Sequence, residues 1–402
     1  MKILLGADQY PEYINGAANF TSRLAVGLAA EGHTVDLLWP SADGEHHTDL
    51  DQGVRVHRLT SIALPGRPRM QVCTPRVVTR QVQQILQIAR PDVVHVQSHL
   101  TLGRALVRAA RGAGLPVMAT NHFMPENIVP HVPLVRQFPR LASRLAWRDL
   151  ARVFGDVDLV SAPTQRAVDL LAESTGLAPA EVISCGIDLT RFQRAAPVPV
   201  VPPGAGAGPS VLFVGRLEHE KHVDELLAAF ARVPSSLGAR LEVVGMGSLR
   251  PKLQAQAEDL GLGRSVTFTG AISDEALLDS YQRADLFVMP GTAELQSLAT
   301  LEAMAAGLPV VAADAMALPH LVRDGQNGYL YQPGDVEGLA VRMIRVLADP
   351  LLRAELGAAS QAIAEGHALT TTLATFEARY DELVAARGLL RAAADASLAF
   401  AS

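Results

Sequence analysis

The sequence predicts an α/β protein with two Rossmann-like, doubly wound domains that face each other across a cleft. Three observations support this prediction: the chain has 402 residues, short apolar runs alternate with amphipathic segments in both halves, and a stretch rich in Pro and Gly separates the halves. A chain of this length is too long for one ordinary core and fits two domains of about 200 residues each. Strands that alternate with helices imply crossover connections and mostly parallel sheets.

The first half begins with a predicted strand and a predicted helix. Residues 2–6 form an apolar run typical of a first strand, and residues 17–31 have helical spacing and end before Gly32. A glycine at this position commonly ends a helix in a left-handed conformation. Further apolar runs predict strands at residues 34–39, 54–59, 92–97, 116–120, 158–162 and 181–185.

A break in this alternation lies at residues 195–210, which contain five Pro and three Gly. Such a segment suits neither a helix nor a central strand. We predict that it links an N-terminal domain, residues 1–194, to a C-terminal domain, residues 211–370. Residues 371–402 are predicted to form a final helix that can pack back on the first domain. Strands of the second domain are predicted at residues 211–215, 240–245, 266–270, 285–290 and 309–312.

The composition is that of a well-cored globular protein. Hydrophobic residues make up 49% of the chain and charged residues 19%. Two cysteines, Cys73 and Cys185, are too few for a disulfide framework and suit a reducing compartment. The first apolar run is too short for a signal peptide, and no run of about 18 apolar residues is present. We therefore expect a cytoplasmic protein, either soluble or peripheral at the inner face of the plasma membrane.

The net charge of −6 is distributed unevenly. Residues 1–191 carry 19 Lys and Arg against 17 Asp and Glu, a balance of +2, whereas the remainder carries 16 against 24, a balance of −8. The acidic second half argues against nucleic acid as the main partner. The first half alone remains compatible with an anionic surface.

The most specific pattern lies in residues 290–309. A strand ends at the start of this segment, and a helix is predicted to begin near Gln296 or Ser297. Free backbone N–H groups at that helix start form a ready phosphate site. Glu294 precedes the helix and Glu302 lies inside it. Carboxylates on either side of a diphosphate can accept hydrogen bonds from sugar hydroxyls at one end and ribose hydroxyls at the other.

Each of these residues also has a purely structural interpretation. Taken alone, Glu294 is a loop carboxylate favoured by the helix dipole, and Glu302 is an ordinary solvated helix residue. Arg216 and Lys221 follow a predicted strand, and they form either a solvated basic pair or a clamp for a diphosphate in the cleft. The chain has only three Lys, and the whole segment is present, which favours the binding interpretation.

The first half contributes a loop and histidines to the predicted site. Gly16 opens the first helix and lets backbone approach a phosphate, with Ala17 beside it. The loop lacks a G-x-G-x-x-G pattern, which argues against a nicotinamide dehydrogenase. His122 follows a predicted strand, and it either hydrogen-bonds a sugar hydroxyl or the leaving phosphate, or satisfies loop backbone. His95 and His99, near another strand end, have the same two interpretations.

Residues 132–154 predict a basic amphipathic helix. Arginines recur at every fourth position with Phe138 and Trp147 among the apolar residues between them, and Pro139 can interrupt the helix. This composition suits docking on an anionic bilayer, at about 1 kcal/mol per Arg near the surface. The alternative is an ordinary domain helix with a solvated arginine edge. The arginines are Arg136, Arg140, Arg144, Arg148 and Arg152.

Together these residues resemble family 4 of the retaining glycosyltransferases, which adopt the GT-B fold. The resemblance covers nearly the whole chain and includes the run Ala-Met-Ala-Ala-Gly-x-Pro after the second glutamate. Leu295-Gln296-Ser297-Leu298 departs from the commoner Gly-Phe-Gly-Leu and is nearer the Thr-Gln-Gly-Leu of bacterial diacylglycerol glucosyltransferases. The run Asn-His-Phe-Met-Pro-Glu-Asn around His122 is similar to Tyr-His-Thr-Met-Tyr-Glu-Asp of the same group. The other residues that carry the resemblance are Gly16, Gly215, Arg216, Lys221, Glu294 and Glu302.

The resemblance implies a role for each matching residue. Glu294 would contact the donor sugar, Glu302 the ribose, and Arg216 with Lys221 the diphosphate. The predicted catalytic residues are His122, Arg216, Lys221 and Glu294. The predicted donor-binding residues are Gly16, Ala17, Arg216, Lys221, Ile272, Glu294, Gln296, Ser297, Leu298 and Glu302.

The resemblance also implies a reaction. A hexose would pass with retention from a nucleotide diphosphate sugar, UDP-glucose in the first instance, to a membrane lipid such as diacylglycerol. No carboxylate pair is placed as in a glycosidase, and the leaving diphosphate itself would take the acceptor's proton, so neither a metal nor another cofactor is expected. The alternatives are a soluble or polysaccharide acceptor, a GDP-mannose-dependent phospholipid mannosyltransferase, a nucleotide-sugar epimerase, and an inactive GT-B binding protein. The sequence indicates no oligomeric state.

Overall fold

The chain forms two compact units, Met1–Ser184 with Thr371–Ser402, and Cys185–Thr370. The structure is a computed structural model. It describes residues 1–8, 16–64, 67–125, 137–178, 180–192 and 208–401, with the side chains of residues 67–70 and 391–401 outside the described set. The boundary between the units precedes the predicted linker, of which residues 195–207 lie outside the described residues.

The first unit is built on an eight-stranded sheet and a separate hairpin. The strands are β1 (Lys2–Gly6), β2 (Thr34–Pro40), β3 (His47–Asp51), β4 (Val54–Leu59), β5 (Ser61–Leu64), β6 (Arg67–Cys73), β7 (Val93–Val96), β8 (Val117–Thr120), β9 (Leu159–Ala162) and β10 (Glu181–Val182). The sheet has the order β10-β9-β8-β7-β1-β2-β4-β3, and within it only the β3–β4 pair is antiparallel. The strand order changes direction between β1 and β7, which is where doubly wound sheets bind ligands.

Helices cover this sheet. They are α1 (Gly16–Ala30), α2 (Pro75–Ala89), α3 (Thr101–Gly112), α4 (Pro139–Phe154) and α5 (Gln165–Thr175). Thr164 caps α5 by accepting a hydrogen bond from the Ala167 backbone N–H at 3.2 Å, and Gly176 ends it in a left-handed conformation. The inner strands β7 and β8 are buried throughout, as expected when helices cover both faces of a parallel sheet.

Helix α4 begins later than the sequence predicted. Pro139 lies in its first turn, where the missing N–H of proline leaves no hydrogen bond unmade, so Pro139 starts the helix and does not interrupt it. Arg136 lies outside the described residues. Trp147 is 6% exposed and packs edge-to-face on Phe123 at 5.7 Å between ring centroids. Trp147 is therefore a core residue and not part of a docking surface.

The second unit is built on a six-stranded parallel sheet. Its strands are β11 (Ser210–Val214), β12 (Arg240–Val244), β13 (Val266–Gly270), β14 (Leu286–Met289), β15 (Val310–Ala313) and β16 (Gly328–Tyr331). They lie in the order β13-β12-β11-β14-β15-β16. This is the Rossmann order, in which the first and fourth strands are neighbours and the connections leave them on opposite faces.

The helices of the second unit are α6 (Leu189–Phe192), α7 (Val223–Phe230), α8 (Arg250–Asp259), α9 (Asp274–Arg283), α10 (Leu298–Ala305), α11 (Leu318–Leu321), α12 (Val336–Ala348) and α13 (Pro350–Glu365). Their starts follow local chemistry. Ser273 Oγ accepts from the Ala276 N–H at 3.2 Å to cap α9, and Asp349 caps α13. None of the described helices combines the length and the apolar character needed to span a bilayer.

The last helix, α14 (Leu369–Ala401), belongs to the first unit. Phe376 and Tyr380 are fully buried there. The Glu377 carboxylate lies 2.7 Å from His33 Nε2, and Arg379 donates to Glu181 at 2.6 Å. The final helix therefore adds apolar core residues and polar contacts to the first unit. Its contact partners Glu181 and His33 lie 198 and 344 residues earlier in the chain.

Two glycines of the second unit allow a close approach between neighbouring loops. Gly245 has φ of +140°, and a Cβ on it would lie 1.8 Å from the carbonyl oxygen of Gly215. A Cβ on Gly247 would lie 2.2 Å from the carbonyl oxygen of Leu217. Since both neighbours are backbone atoms, a side chain at either position would push the loop after β11 away from the loop after β12.

We expect Gly247→Ala to destabilise the second unit by about 2 kcal/mol, because the overpacked backbone has to move. Thermal and urea unfolding would measure the change. Gly263→Ala is the matched control, since a Cβ at Gly263 meets no atom within 4 Å. Equal unfolding of the two variants would contradict the prediction.

Candidate functional site

Two loops of the second unit meet at the point where its strand order changes direction. β11 and β14 are adjacent parallel strands, paired at Val211 with Leu286 and at Leu212 with Phe287. The chain leaves β11 at Gly215 and leaves β14 at Pro290, at the same edge of the sheet. A ligand crevice is expected at this edge, outside the carboxyl ends of these two strands.

Arg216 lies in the loop after β11. Backbone hydrogen bonds fix this loop to the end of β12 and the loop that follows it. The Gly215 N–H donates to Val244 O at 3.0 Å, and the Leu217 N–H donates to Met246 O at 2.9 Å. The guanidinium Nη2 of Arg216 donates to Glu220 Oε1 at 2.7 Å. The Glu220 side chain is 6% exposed, so a nearly buried carboxylate holds the Arg216 side chain. Sequence reasoning missed this role of Glu220, although its place next to Lys221 is a signal.

Lys221 and Glu294 form an ion pair between the two loops. Lys221 Nζ donates to Glu294 Oε1, and the two side chains are only 13% and 11% exposed. A Cβ on Gly291 would lie 3.1 Å from the same Glu294 oxygen, so glycine leaves room for this contact. The loop after β11 and the loop after β14 are thereby joined by opposite charges that water reaches only in part.

A second contact joins the same loops. The Thr292 N–H donates to the Glu220 carbonyl oxygen at 3.0 Å, and His222 Nε2 shares a 3.0 Å hydrogen bond with Thr292 Oγ1. His222 has φ of +47°, in the left-handed region that is uncommon for a residue other than glycine. His222 Nδ1 also lies 3.1 Å from Glu225 Oε1. His222 and Thr292 were not predicted from the sequence, since neither carries a charge that marks a phosphate site.

Glu302 lies in α10, whose side chains are buried almost throughout. It is 7% exposed, and its Oε2 accepts from the hydroxyl of the fully buried Tyr281 at 3.0 Å. The structural interpretation of Glu302 as a solvated helix residue is therefore wrong. A carboxylate fixed in this way by a buried phenol is held in one orientation at the edge of the core.

The start of α10 presents backbone N–H groups next to these carboxylates. Ser297 is the N-cap residue, but its Oγ accepts from Thr300 Oγ1 at 2.9 Å and makes no hydrogen bond to a backbone N–H of the first turn. The first helical residue is Leu298, one or two positions after the predicted start near Gln296 or Ser297. Among the described residues, no cap side chain accepts a hydrogen bond from the first turn of α10. The backbone N–H groups of that turn can therefore donate to an anion.

The contacts of Gln296 and Ile272 are with other parts of the second unit. Gln296 Oε1 accepts from the Cys185 N–H at 2.8 Å, and its Nε2 lies 3.5 Å from His367 Nδ1. Gln296 thus connects the loop after β14 to the two segments at which the chain enters and leaves the second unit. Ile272 follows β13 and packs, partly buried, against the core of the second unit.

The predicted residues of the first unit lie near its own change of strand direction. Gly16 is exposed and begins α1, with Ala17 partly buried beside it; residues 9–15 of the preceding loop lie outside the described residues. His122 follows β8, and its Nε2 lies 2.9 Å from Oε1 of Gln97, which follows β7. Burial lowers the pKa of His122 to about 4, so its ring is neutral at physiological pH.

His95 and His99 are buried inside the first unit. His95 hydrogen-bonds Tyr380 Oη and Thr120 Oγ1, each at 2.7 Å, and burial lowers its pKa to about 3. His99 packs edge-to-face on Phe123 at 4.6 Å between ring centroids, and burial lowers its pKa to about 4. Both histidines therefore serve the packing of the first unit, in line with their structural interpretation.

Helix α4 carries an exposed apolar stripe beside its arginines. Phe138, Leu141 and Leu145 are 64%, 57% and 56% exposed. Phe138 directly precedes the helix. At about 100° per residue Leu141 and Leu145 lie about 40° apart and roughly opposite the buried face, with Arg152 between them, Arg148 beside them, and Arg140 and Arg144 further to one side. The exposed arginines are Arg140, Arg144, Arg148 and Arg152.

Acidic and histidine side chains do not form a metal cluster in the described part of the chain: no group of three or more His, Cys, Asp and Glu has suitable geometry there.

Comparisons with known proteins agree with this geometry. A family model described as Glycosyl transferases group 1 matches residues 205–362, and one described as Glycosyltransferase Family 4 matches residues 14–191. A GDP-mannose-dependent alpha-mannosyltransferase of Mycobacterium tuberculosis is 30% identical over 344 residues, which are 84% of this chain and 85% of that protein. This chain belongs to the family 4 glycosyltransferases. An alpha-monoglucosyldiacylglycerol synthase of Streptococcus pneumoniae is also 30% identical, over 82% of this chain and 75% of that protein.

Solved structures confirm the fold of the glycosyltransferase. A sucrose-phosphate synthase from Thermosynechococcus elongatus superposes with a TM-score of 0.81 at 21% identity, over 96% of this chain and all of that one. The Anabaena protein HepE in complex with UDP-glucose superposes with a TM-score of 0.72 at 21% identity, over 94% and 99% of the two chains. The prediction of two Rossmann-like domains of the GT-B class is confirmed, and the chain is a hexosyltransferase.

We expect Lys221→Met to lower the stability of the second unit by about 3 kcal/mol, because it leaves the Glu294 carboxylate nearly buried without its cation. Adding Glu294→Gln to this variant removes the unpaired charge and should restore most of the stability. Hexosyl transfer should be abolished in both variants. Thermal unfolding and a transfer assay would measure the two effects.

Arg232→Met is the matched control, because the Arg232–Glu337 pair is exposed and contributes little. If the double variant regained activity together with stability, the ion pair would have only a structural role.

Proposed function

We propose that this glycosyltransferase moves glucose from UDP-glucose to the hydroxyl of a membrane lipid such as diacylglycerol, with retention, by a front-face mechanism that uses no metal. The observation that carries the proposal is the cluster of Arg216, Lys221 and Glu294 where two strand-end loops meet beside the start of α10. Two cations and a helix N-terminus suit a diphosphate, and a carboxylate next to them suits sugar hydroxyls.

The leaving group is the centre of the proposed mechanism. The bond from the anomeric carbon to the diphosphate oxygen breaks, and the nucleoside diphosphate leaves with the electron pair. The acceptor hydroxyl approaches on the same face, its oxygen forms the new bond to the anomeric carbon, and its proton passes to the departing diphosphate. The protein then has to hold the acceptor near the anomeric carbon and stabilise the negative charge that grows on the diphosphate.

Arg216 and Lys221 would stabilise that charge. In the free protein, each is paired with a carboxylate, Arg216 with Glu220 and Lys221 with Glu294. A diphosphate between them is a stronger partner for both cations than one carboxylate each, because it offers several charged oxygens. Glu294 then accepts hydrogen bonds from the sugar, and Glu302, oriented by Tyr281, accepts them from the ribose.

The lipid acceptor is supported by a relative and by a surface. The Streptococcus pneumoniae relative is named as an alpha-monoglucosyldiacylglycerol synthase. The stripe of Phe138, Leu141 and Leu145 next to four exposed arginines has the pattern of a helix that lies in a membrane interface. The apolar side chains would enter the acyl boundary while the arginines meet anionic headgroups.

A transfer screen with product mass spectrometry tests the proposed reaction. UDP- and GDP-sugars are offered with diacylglycerol, phospholipid and soluble acceptors, and we expect a hexosyl-diacylglycerol from UDP-glucose with retained anomeric configuration by NMR. We expect EDTA to leave the rate unchanged, because arginine, lysine and helix N–H groups suffice for the diphosphate. Transfer to soluble acceptors alone would refute the lipid acceptor, and a loss of rate with EDTA that magnesium restores would refute the metal-free mechanism.

A GDP-mannose donor is the second candidate, since the Mycobacterium tuberculosis relative is named as GDP-mannose-dependent. It uses the same diphosphate and sugar contacts and differs in the nucleobase and in the sugar. Mannosyl transfer from GDP-mannose without glucosyl transfer in the same screen would select it.

Leu141→Ser with Leu145→Ser should weaken binding to vesicles rich in anionic lipid by at least about tenfold, because two apolar side chains no longer enter the acyl boundary. Sedimentation at low salt would measure the affinity. Leu50→Ser with Ile88→Ser is the matched control, since these side chains lie on other elements and are even more exposed, at 76% and 78%. Unchanged sedimentation of the α4 variant, or no sedimentation of the natural protein, would contradict the proposed docking helix.

A further inference from the structure

The side chain of His122 is held by one polar and one aromatic neighbour. Its Nε2 lies 2.9 Å from Gln97 Oε1, and its ring packs on Phe20 of α1 with 5.1 Å between ring centroids. Among the described residues, no other side chain or backbone group hydrogen-bonds the ring. The orientation of the imidazole in the plane of its ring thus depends on Gln97.

Gln97 is itself fixed from behind. It is 4% exposed, and its amide Nε2 lies 3.3 Å from Nδ1 and 3.1 Å from Nε2 of His95, so the amide nitrogen faces the imidazole ring and not one of its nitrogens. His95 is held in turn by the hydroxyls of Tyr380 and Thr120, at 2.7 Å each. The face of a neutral imidazole attracts an amide N–H and repels an amide oxygen, so the contact with the His95 ring directs the oxygen of Gln97 at His122.

This direction determines which nitrogen of His122 carries the proton. An amide oxygen has no proton to give, so the hydrogen bond with Gln97 requires a proton on Nε2 of His122. A neutral imidazole has one N–H, and its Nδ1 then carries a lone pair. His122 in this state can accept a hydrogen bond at Nδ1 and has no proton to donate there.

We propose that Gln97 is a positioning residue for hexosyl transfer, which holds His122 as a neutral imidazole with its proton on Nε2 and presents Nδ1 as an acceptor for a substrate hydroxyl. The inference rests on the proposed hexosyl transfer and on the sequence-based prediction that His122 contacts substrate. It assigns the role of acceptor to His122 and excludes a role as general acid. A hydroxyl of the sugar or of the acceptor has the chemistry that fits Nδ1, and a phosphate oxygen has not.

The charged and titratable groups around His122 are few in the described part of the molecule. From β7 the titratable neighbour is His95, which burial keeps neutral. From α1 the neighbour is Phe20, and from α14 it is Phe376 behind Phe20. Tyr380 lies on the far side of His95, and burial raises its pKa. No carboxylate among the described residues pairs with His122, so burial alone lowers its pKa.

Gln97→Glu tests the inference, because it keeps the size of the side chain and adds a negative charge at the atom that faces Nε2. The carboxylate should return the pKa of His122 toward its ordinary value of about 6.5. Below that pH the ring becomes a cation with protons on both nitrogens and cannot accept at Nδ1. We expect kcat of Gln97→Glu to fall about tenfold between pH 8 and pH 5.5, whereas kcat of the natural protein stays flat over this range.

Gln81→Glu is the matched control, since Gln81 is also a buried glutamine of the first unit and hydrogen-bonds Thr60 away from His122. Its pH profile should match that of the natural protein. A flat profile for Gln97→Glu, or the same fall in Gln81→Glu, would overturn the inference. Gln97→Met serves if the glutamate variant does not fold: it removes the acceptor, and we expect a loss of kcat at every pH with no new titration.

The ¹⁵N chemical shifts of His122 give a second readout that needs no activity. A protonated Nε2 and an unprotonated Nδ1 between pH 6 and pH 8 are expected for the natural protein, and the opposite tautomer would overturn the inference. The two proposals can fail separately. An inactive protein with the expected tautomer refutes the proposed function alone, and an active protein with the proton on Nδ1 refutes the role of Gln97 alone.

Discussion

Lys221 and Glu294 lie on loops that leave neighbouring strands of one parallel sheet, and little water reaches either side chain. Each charge would be costly to bury alone, and together they are tolerated because each is the other's partner. Together with the backbone hydrogen bond from Thr292 to Glu220, the pair keeps the two loops in register. It also keeps the Lys221 cation at the edge of the sheet. There a dianionic group can replace the carboxylate as its partner or share the cation with it. The rest of the second unit's site is arranged around this contact.

The backbone behind the pair is as constrained as the charges. The loop that carries Arg216 is enclosed by two glycines of the neighbouring loop, and any Cβ there would meet carbonyl oxygens. His222 occupies a left-handed conformation while it contacts Thr292, and such conformations persist where surrounding contacts determine them. Rigid backbone of this kind holds cations in place before a ligand arrives, so less ordering is needed when the ligand binds.

The strands and the main site residues could be predicted because they follow strong local rules. Fully buried apolar runs such as β11 and β14 identify inner strands, and charged residues directly after them mark the ligand edge. The edge strand β3 was not predicted, because four of its five residues are exposed and give no apolar alternation. β16 was not predicted either: it is short, and its Gly328 is required by an approach to Val310 that only the tertiary structure reveals.

The contacts that support the site could not be predicted from the sequence, for a different reason. Tyr281 is revealed as the partner of Glu302 only when the fold brings together side chains 21 positions apart. Glu220 lies four positions from Arg216, but their contact depends on the conformation of the loop between them. The same holds for Trp147, whose place in a basic amphipathic pattern suggested a surface, while packing on Phe123 places it in the core. Periodicity indicates which side chains share a helix face but not which face is covered.

The return of α14 to the first unit determines the order in which the protein can be completed during synthesis. Residues 185–370 are contiguous, so the second unit has all of its chain before the terminal helix emerges. The first unit lacks Phe376 and Tyr380 until that part of α14 leaves the ribosome, although its sheet was synthesised before the second unit. Its core, including the partners of His95, therefore closes last, and the half of the enzyme made earliest is the one that waits longest for its final shape.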